Sequence, residues 1–172
     1  KVFIPYHHTV GAVDLGSDWD WEVVPPFEGQ RWPLSLCYQY FLKTLAVSYW
    51  LTDDEKYIDK LVWIYRHYFD CVDDRSDWMW IPDMQLARNY QQLLPFILSW
   101  ENLKPEDLCA LLYWLGTTCA EMMESVDGAP GNQLLFNGIG LLWIGVGMHE
   151  FARSPQWRKE GLARIGGYFA EG

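Results

Sequence analysis

Basic residues are scarce in this chain. Lys and Arg number 13 against 23 Asp and Glu, so the 172 residues carry a formal charge of −10. A nucleic-acid partner needs a basic surface that displaces phosphate counterions, and this composition argues against one. Long apolar runs are absent as well. The most apolar stretch, Leu134–Met148, is too short and too rich in glycine to span a membrane. No signal peptide is legible, and the first residue is Lys1 rather than Met. The four cysteines, Cys37, Cys71, Cys109 and Cys119, form no CxxC and have no zinc-site spacing. On one helix Cys109 and Cys119 would stand ~15 Å apart along the axis, beyond disulfide reach. All four are therefore expected to be buried thiols. No GxSxG, Walker loop or dinucleotide fingerprint occurs, and His149-Glu150 lacks the second His of a HExxH zinc site. These motifs call for no metal and no cofactor.

What is present is apolar and aromatic. Half of the residues are hydrophobic and 17% are aromatic, including 11 Trp and 10 Tyr. That load suits a large core, or a groove for something flat such as a sugar ring. Residues 1–30 mix Gly, Pro, Asp and Trp and read as an irregular arm. From residue 31 to 172 the chain reads as one all-α domain. Apolar residues recur at helical spacing from Trp32 to Leu51. Thr52 and Glu55 then form a capping-box pattern for a helix running to about Cys71. A third helix is expected over about 79–100, bent near Pro95. Pro105, with Glu106 and Asp107 in its first turn, opens a fourth that reaches about Ser125. A fifth is expected from Asn132 to about Phe151. Ser154-Pro155 caps a sixth that runs to the end. Short loops make neighbouring helices antiparallel.

Three features stand out. In "DGAPGNQLLFNGIGLLW" (127–143) a turn-rich loop meets Asn132 and Gln133 at the mouth of an apolar helix. Asn132 can be a plain N-cap. Alternatively its amide, beside free N–H groups and partial positive charge, can donate to an anion whose charge grows in a transition state. Further along, Gly138 and Gly145 are seven apart, as are Gly140 and Gly147, two stripes that let another backbone come close. The third feature is "SDWDWEVVPP", where Trp19 and Trp21 alternate with Asp18, Asp20 and Glu22. That pattern fits sugar binding, and equally an arm pinned by two tryptophans. His7, His8 and His149 read as structural or solvated. No pair of carboxylates can be set across a cleft from spacing alone.

These residues resemble a family. "DWDWEVVPPFEGQRW" and "LAVSYWLTDDEKYIDKLVWIYRHYF" look like the N-terminal helical domain of heparinase II/III-type polysaccharide lyases. Trp80 and Arg88 fit that family's Trp-x7-Arg helix. "GNQLLFNGIGLLWIGVGMHEFARSPQW" is similar to its Asn-His or Asn-Trp start and its exit, here His149-Glu150-Phe151 and Trp157. The resemblance covers roughly residues 14–172. It implies an incomplete (α/α) toroid of antiparallel helix pairs, with a C-terminal β-sandwich domain outside this chain. It implies β-elimination of uronic-acid polysaccharide, of heparin, heparan sulfate or alginate type, in a bacterial periplasmic or secreted enzyme.

Asn132 matches the family Asn that neutralises the substrate carboxylate. Gln133, Arg88, Trp80, Trp19, Trp21 and Trp32 become candidates for binding substrate; Arg88 could equally hold a structural ion pair. The sequence departs from the family in three places: Gln133 stands where many members have His, Tyr38 where many have Arg, and Met84 near a usual Glu. The Tyr that serves as base and acid is expected beyond Gly172, and Tyr168 is expected to pack. This chain would then hold half a site and be inactive alone. Two rivals stay open: a glycoside hydrolase on a related toroid, and a non-catalytic glycan-binding helical module.

Overall fold

In a computed structural model of the protein, the residues described are 19, 21, 36–71, 80–124 and 132–170, with side chains for 19, 21, 36–71, 89–121, 132 and 134–170. Among them the secondary structure is helical throughout, with no strand. Six helices follow in order: α1 Leu42–Thr52, α2 Glu55–Cys71, α3 Trp80–Leu98, α4 Pro105–Glu124, α5 Asn132–Gly147 and α6 Ser154–Ala170. Two compact units contain them, Lys1–Pro82 and Asp83–Gly172.

In the first unit α1 packs on α2. Ile58, Leu61, Val62, Tyr65 and Tyr68 recur three or four apart on α2, and all are buried. The predicted first helix is interrupted: Leu36 and Cys37 are helical, but the chain turns before α1 begins at Leu42. Gln39 takes a left-handed φ of 51° and breaks the run before Leu42. The predicted capping box is also corrected. Thr52 is the last residue of α1, and its hydroxyl donates back to the Ser48 carbonyl at 2.6 Å. Asp53 closes α1 in the left-handed conformation (φ 55°), donating its N–H to the Tyr49 carbonyl. Asp54 caps α2 instead, its Oδ1 accepting from the Lys56 N–H at 3.2 Å. The Lys56 ammonium lies 2.5 Å from the same carboxylate. Hydrogen bonding between the two lowers the carboxyl pKa and raises that of the lysine.

In the second unit α5 and α6 form the most intimate pair, and α4 packs on both. α5 runs antiparallel to α6: Gly145 faces Ser154 and Arg158, and Gly138 faces Gly161, Arg164 and Ile165. The stripe of Gly138 and Gly145 does what its spacing suggested. A Cβ on Gly145 would stand 2.9 Å from the Ser154 carbonyl oxygen and the Arg158 nitrogen. Gly147, of the other stripe, faces the Gln91 side chain of α3. Tyr90 of α3 meets Trp114 of α4 edge-on, centroids 5.3 Å apart. Trp157, 1% exposed, fills the base of α6 against Phe151. α5 ends at Gly147 rather than near Phe151. Ser154 does not cap its own helix: its hydroxyl donates to the Met148 carbonyl at the end of α5.

The cysteine expectation is half right. Cys37 and Cys119 are buried, but Cys71 and Cys109 are exposed, because each falls on the solvent side of its helix. A disulfide reagent is therefore expected to find two fast thiols in the native chain and two more only on unfolding. Burial pushes the Cys119 thiol up to about 12. An unfolded thiol titrates near 8.5. The folded form thus favours the neutral thiol, and that stability is whole below about pH 8.5 and is lost as pH rises toward 12. Urea midpoints should fall between about pH 8 and pH 10.5 by more in the wild type than in Cys119→Ala. Equal falls would remove this linkage.

Candidate functional site

Asn132 opens α5, and its side chain is exposed. The first turn of α5 contains no acidic residue, whereas that of α4 holds Glu106 and Asp107. The positive end of α5 is thus not neutralised by carboxylates of its own first turn. The antiparallel register brings the last turn of α6 level with the first turn of α5. Tyr168 lies in that last turn, half-buried, its ring 5.4 Å from that of the exposed Phe169.

Other candidates fall differently. Gln133 follows Asn132 on α5, and Trp80 and Arg88 lie on α3; the side chains of these three, and all of Trp32, are outside the described residues. Trp19 and Trp21 are 8% and 3% exposed. Trp19 packs edge-on against Trp63 and Phe41, with centroids 5.6 and 6.0 Å away. Trp21 meets Tyr68 edge-on at 5.0 Å and donates its Nε1–H to His67 Nδ1 at 3.0 Å. Lys60 places its ammonium 3.3 Å from the centre of the Trp63 ring and 5.2 Å from that of Trp19. Burial beside these rings lowers the pKa of Lys60. Of the two readings of "SDWDWEVVPP", this packing supports the pinned arm.

A cavity of about 340 Å³ opens among Leu94, Leu98, Leu108, Leu112, Met148 and Phe151, with Glu150 the one charged residue among the described residues of its lining. An apolar wall with a carboxylate does not suit a uronate. Among the described residues no three His, Cys, Asp or Glu side chains gather as metal ligands. The sequence reading missed a polar group between α5 and α6: Asn137 and Arg164, both buried, with the partly exposed Glu160 beside them. Its one legible sign was the i, i+4 spacing of Glu160 and Arg164.

The helical architecture of the described residues belongs to a known class. The chain is a member of the heparinase II/III N-terminus family, whose model matches residues 2–169. It is 26% identical over 165 residues to a heparin-sulfate lyase of Pedobacter heparinus, covering 91% of this chain and 25% of that protein. Its backbone is similar to that of heparan sulfate lyase HepC from Pedobacter heparinus, with TM-score 0.84 and 21% identity over 96% of this chain and 27% of that one. A crystal structure of heparinase III gives TM-score 0.78 at 20% identity, over 85% of this chain and 23% of that one. The chain spans about a quarter of the length of these relatives.

Proposed function

We propose that the chain is the N-terminal helical part of a polysaccharide lyase that cleaves uronic-acid-containing glycans by β-elimination. Heparin or heparan sulfate is the first substrate class and alginate-type polyuronate the second. The observation that carries this reading is family membership combined with an exposed carboxamide on a helix start that has no acid in its first turn.

The chemistry explains why an amide belongs there. A base removes the proton α to the uronate carboxylate, and charge flows onto that carboxylate as an enolate. The electrons then form a carbon–carbon double bond as the glycosidic C–O bond breaks, and an acid protonates the departing oxygen. Asn132 and the first N–H groups of α5 would meet the carboxylate and hold the growing charge. Gln133 can add a second amide donor but moves no proton. Arg88, Trp80 and Trp32 would bind sugar. The base and acid are assigned to a Tyr in the part of the protein beyond this chain, as is a β-sandwich domain. On its own this chain would be inactive.

The toroid is proposed on the antiparallel α5–α6 pair and on apolar faces left uncovered. Phe136, Trp143 and Val146 on α5, and Leu162 and Phe169 on α6, are exposed at helical spacing. Further helices of a longer protein would bury them. The charge of −10 opposes a polyanion at long range, so the groove needs a basic lining. No helix among the described residues is long and apolar enough to cross a membrane. A periplasmic or secreted location in a bacterium is proposed on the family resemblance alone.

The test is the product. The full-length protein, given heparan sulfate and then alginate, should release chains ending in an unsaturated uronate, seen as new ultraviolet absorbance. New reducing ends without that absorbance would make it a hydrolase. Binding without turnover would make it a glycan-binding module.

A further inference from the structure

Two arginines of α6 reach across to α5. Arg158 donates from Nη1 to the Gly145 carbonyl at 3.2 Å, near the C-terminal end of α5. Arg164 works at the other end. It is 8% exposed, donates from Nε to Glu160 Oε1 at 2.8 Å, and donates from Nη1 to Oδ1 of Asn137, itself 2% exposed. Burying a guanidinium is costly unless its donors are satisfied, and an apolar side chain of similar size often serves stability as well. A buried arginine here therefore calls for a role other than holding the fold.

Register is such a role. Asn137 precedes Gly138, and Gly161 lies between Glu160 and Arg164, so the polar group sits at one of the places where the two backbones come close. Glycine surfaces let helices approach but are smooth along the axis, so they set separation better than sliding. A directed bond from guanidinium to amide oxygen sets sliding. A slip of one residue moves a helix by ~1.5 Å. A misplacement of ~1 Å at a reacting centre costs on the order of 10²-fold in rate. Asn132 is five residues, ~7.5 Å of helix, from Asn137.

We propose that Arg164 is a positioning residue for the candidate site. Through Asn137 it fixes the axial register of α5 on α6, and with it the place where Asn132 meets the substrate carboxylate. The inference rests on the role given to Asn132 above.

The test uses the full-length protein with heparan sulfate and the absorbance readout. In folded Arg164→Met, kcat should fall by about 10-fold or more while KM stays within about threefold. Arg164→Lys, which keeps one donor, should recover part of the loss. In an Asn132→Ala background, Arg164→Met should lower the residual rate by less than about twofold, because the group being positioned is gone. A purely structural arginine would lower Tm and leave the kcat of the folded fraction unchanged. If Arg164→Met does not fold, Asn137→Leu carries the same comparisons with the Arg164–Glu160 pair intact. Normal kcat in the folded variant, with Asn132→Ala inactive, overturns the register role and leaves Asn132 in place. So does an equal loss in both backgrounds. Near-normal turnover by Asn132→Ala overturns the assignment of Asn132 itself.

Discussion

If the proposed elimination is right, Asn132→Ala in the full-length protein is expected to lower kcat by about 10²–10³-fold, the loss that follows when one preorganised donor to a developing anion is removed. The fold should survive. Asn132 is exposed at the first helical position of α5, and alanine is a better helix former than asparagine, so truncation there costs the fold little. Asn132→Asp separates the two readings of this residue. Aspartate caps a helix as well as asparagine does, so a residue that only caps would tolerate the change in both stability and rate. A residue that receives a uronate would not, because the new carboxylate repels the substrate and cannot donate. Tm near wild type with turnover lost in Asn132→Asp supports the anion-receiving role. Turnover retained in Asn132→Asp, with only a lower Tm in Asn132→Ala, reduces Asn132 to a cap.

Helical periodicity carried most of the fold. α2, α4 and α6 begin and end within a few residues of where apolar spacing, Pro105 and Ser154-Pro155 put them, because those signals are local. The failures occur where local rules compete. Thr52 had capping-box spacing, but α1 needed a left-handed stop at Asp53, and that moved the cap to Asp54. Cys71 and Cys109 look apolar by residue type, yet helix phase turns them to solvent. At the candidate site, a turn-rich loop before a glycine-spaced helix was enough to single out Asn132. Asn137 was not legible, because its significance depends on Arg164, 27 residues away in sequence. Trp19 and Trp21 were ambiguous for a related reason. An indole is equally good as a sugar platform or a core plug, and the contacts with Trp63, Tyr68 and His67, which support the second, are not legible in sequence.

Gly161→Val is expected to destabilise the chain by about 3 kcal/mol, the upper part of the range for overpacking a close contact. A Cβ at Gly161 would lie 2.6 Å from the Gly138 carbonyl oxygen and 2.7 Å from the Leu142 nitrogen. Both are backbone atoms of α5, so neither can rotate away; the helices must separate or α6 must bend. Alanine at the same place gains about 1 kcal/mol in helix propensity but meets the same backbone, so its net loss should be smaller. Gly166 on the same helix is the control: nothing lies within 4 Å of its added Cβ, and Gly166→Ala should stabilise by about 0.5–1 kcal/mol. For a domain of this size, 3 kcal/mol corresponds to a Tm lower by roughly 6–12 °C. Calorimetry on the three variants checks the order. If Gly161→Ala matched Gly166→Ala, α5 and α6 could not be in backbone contact. The same separation would pull Asn137 from Arg164, so Gly161→Ala should also lower kcat in the full-length protein before it lowers the folded fraction at working temperature.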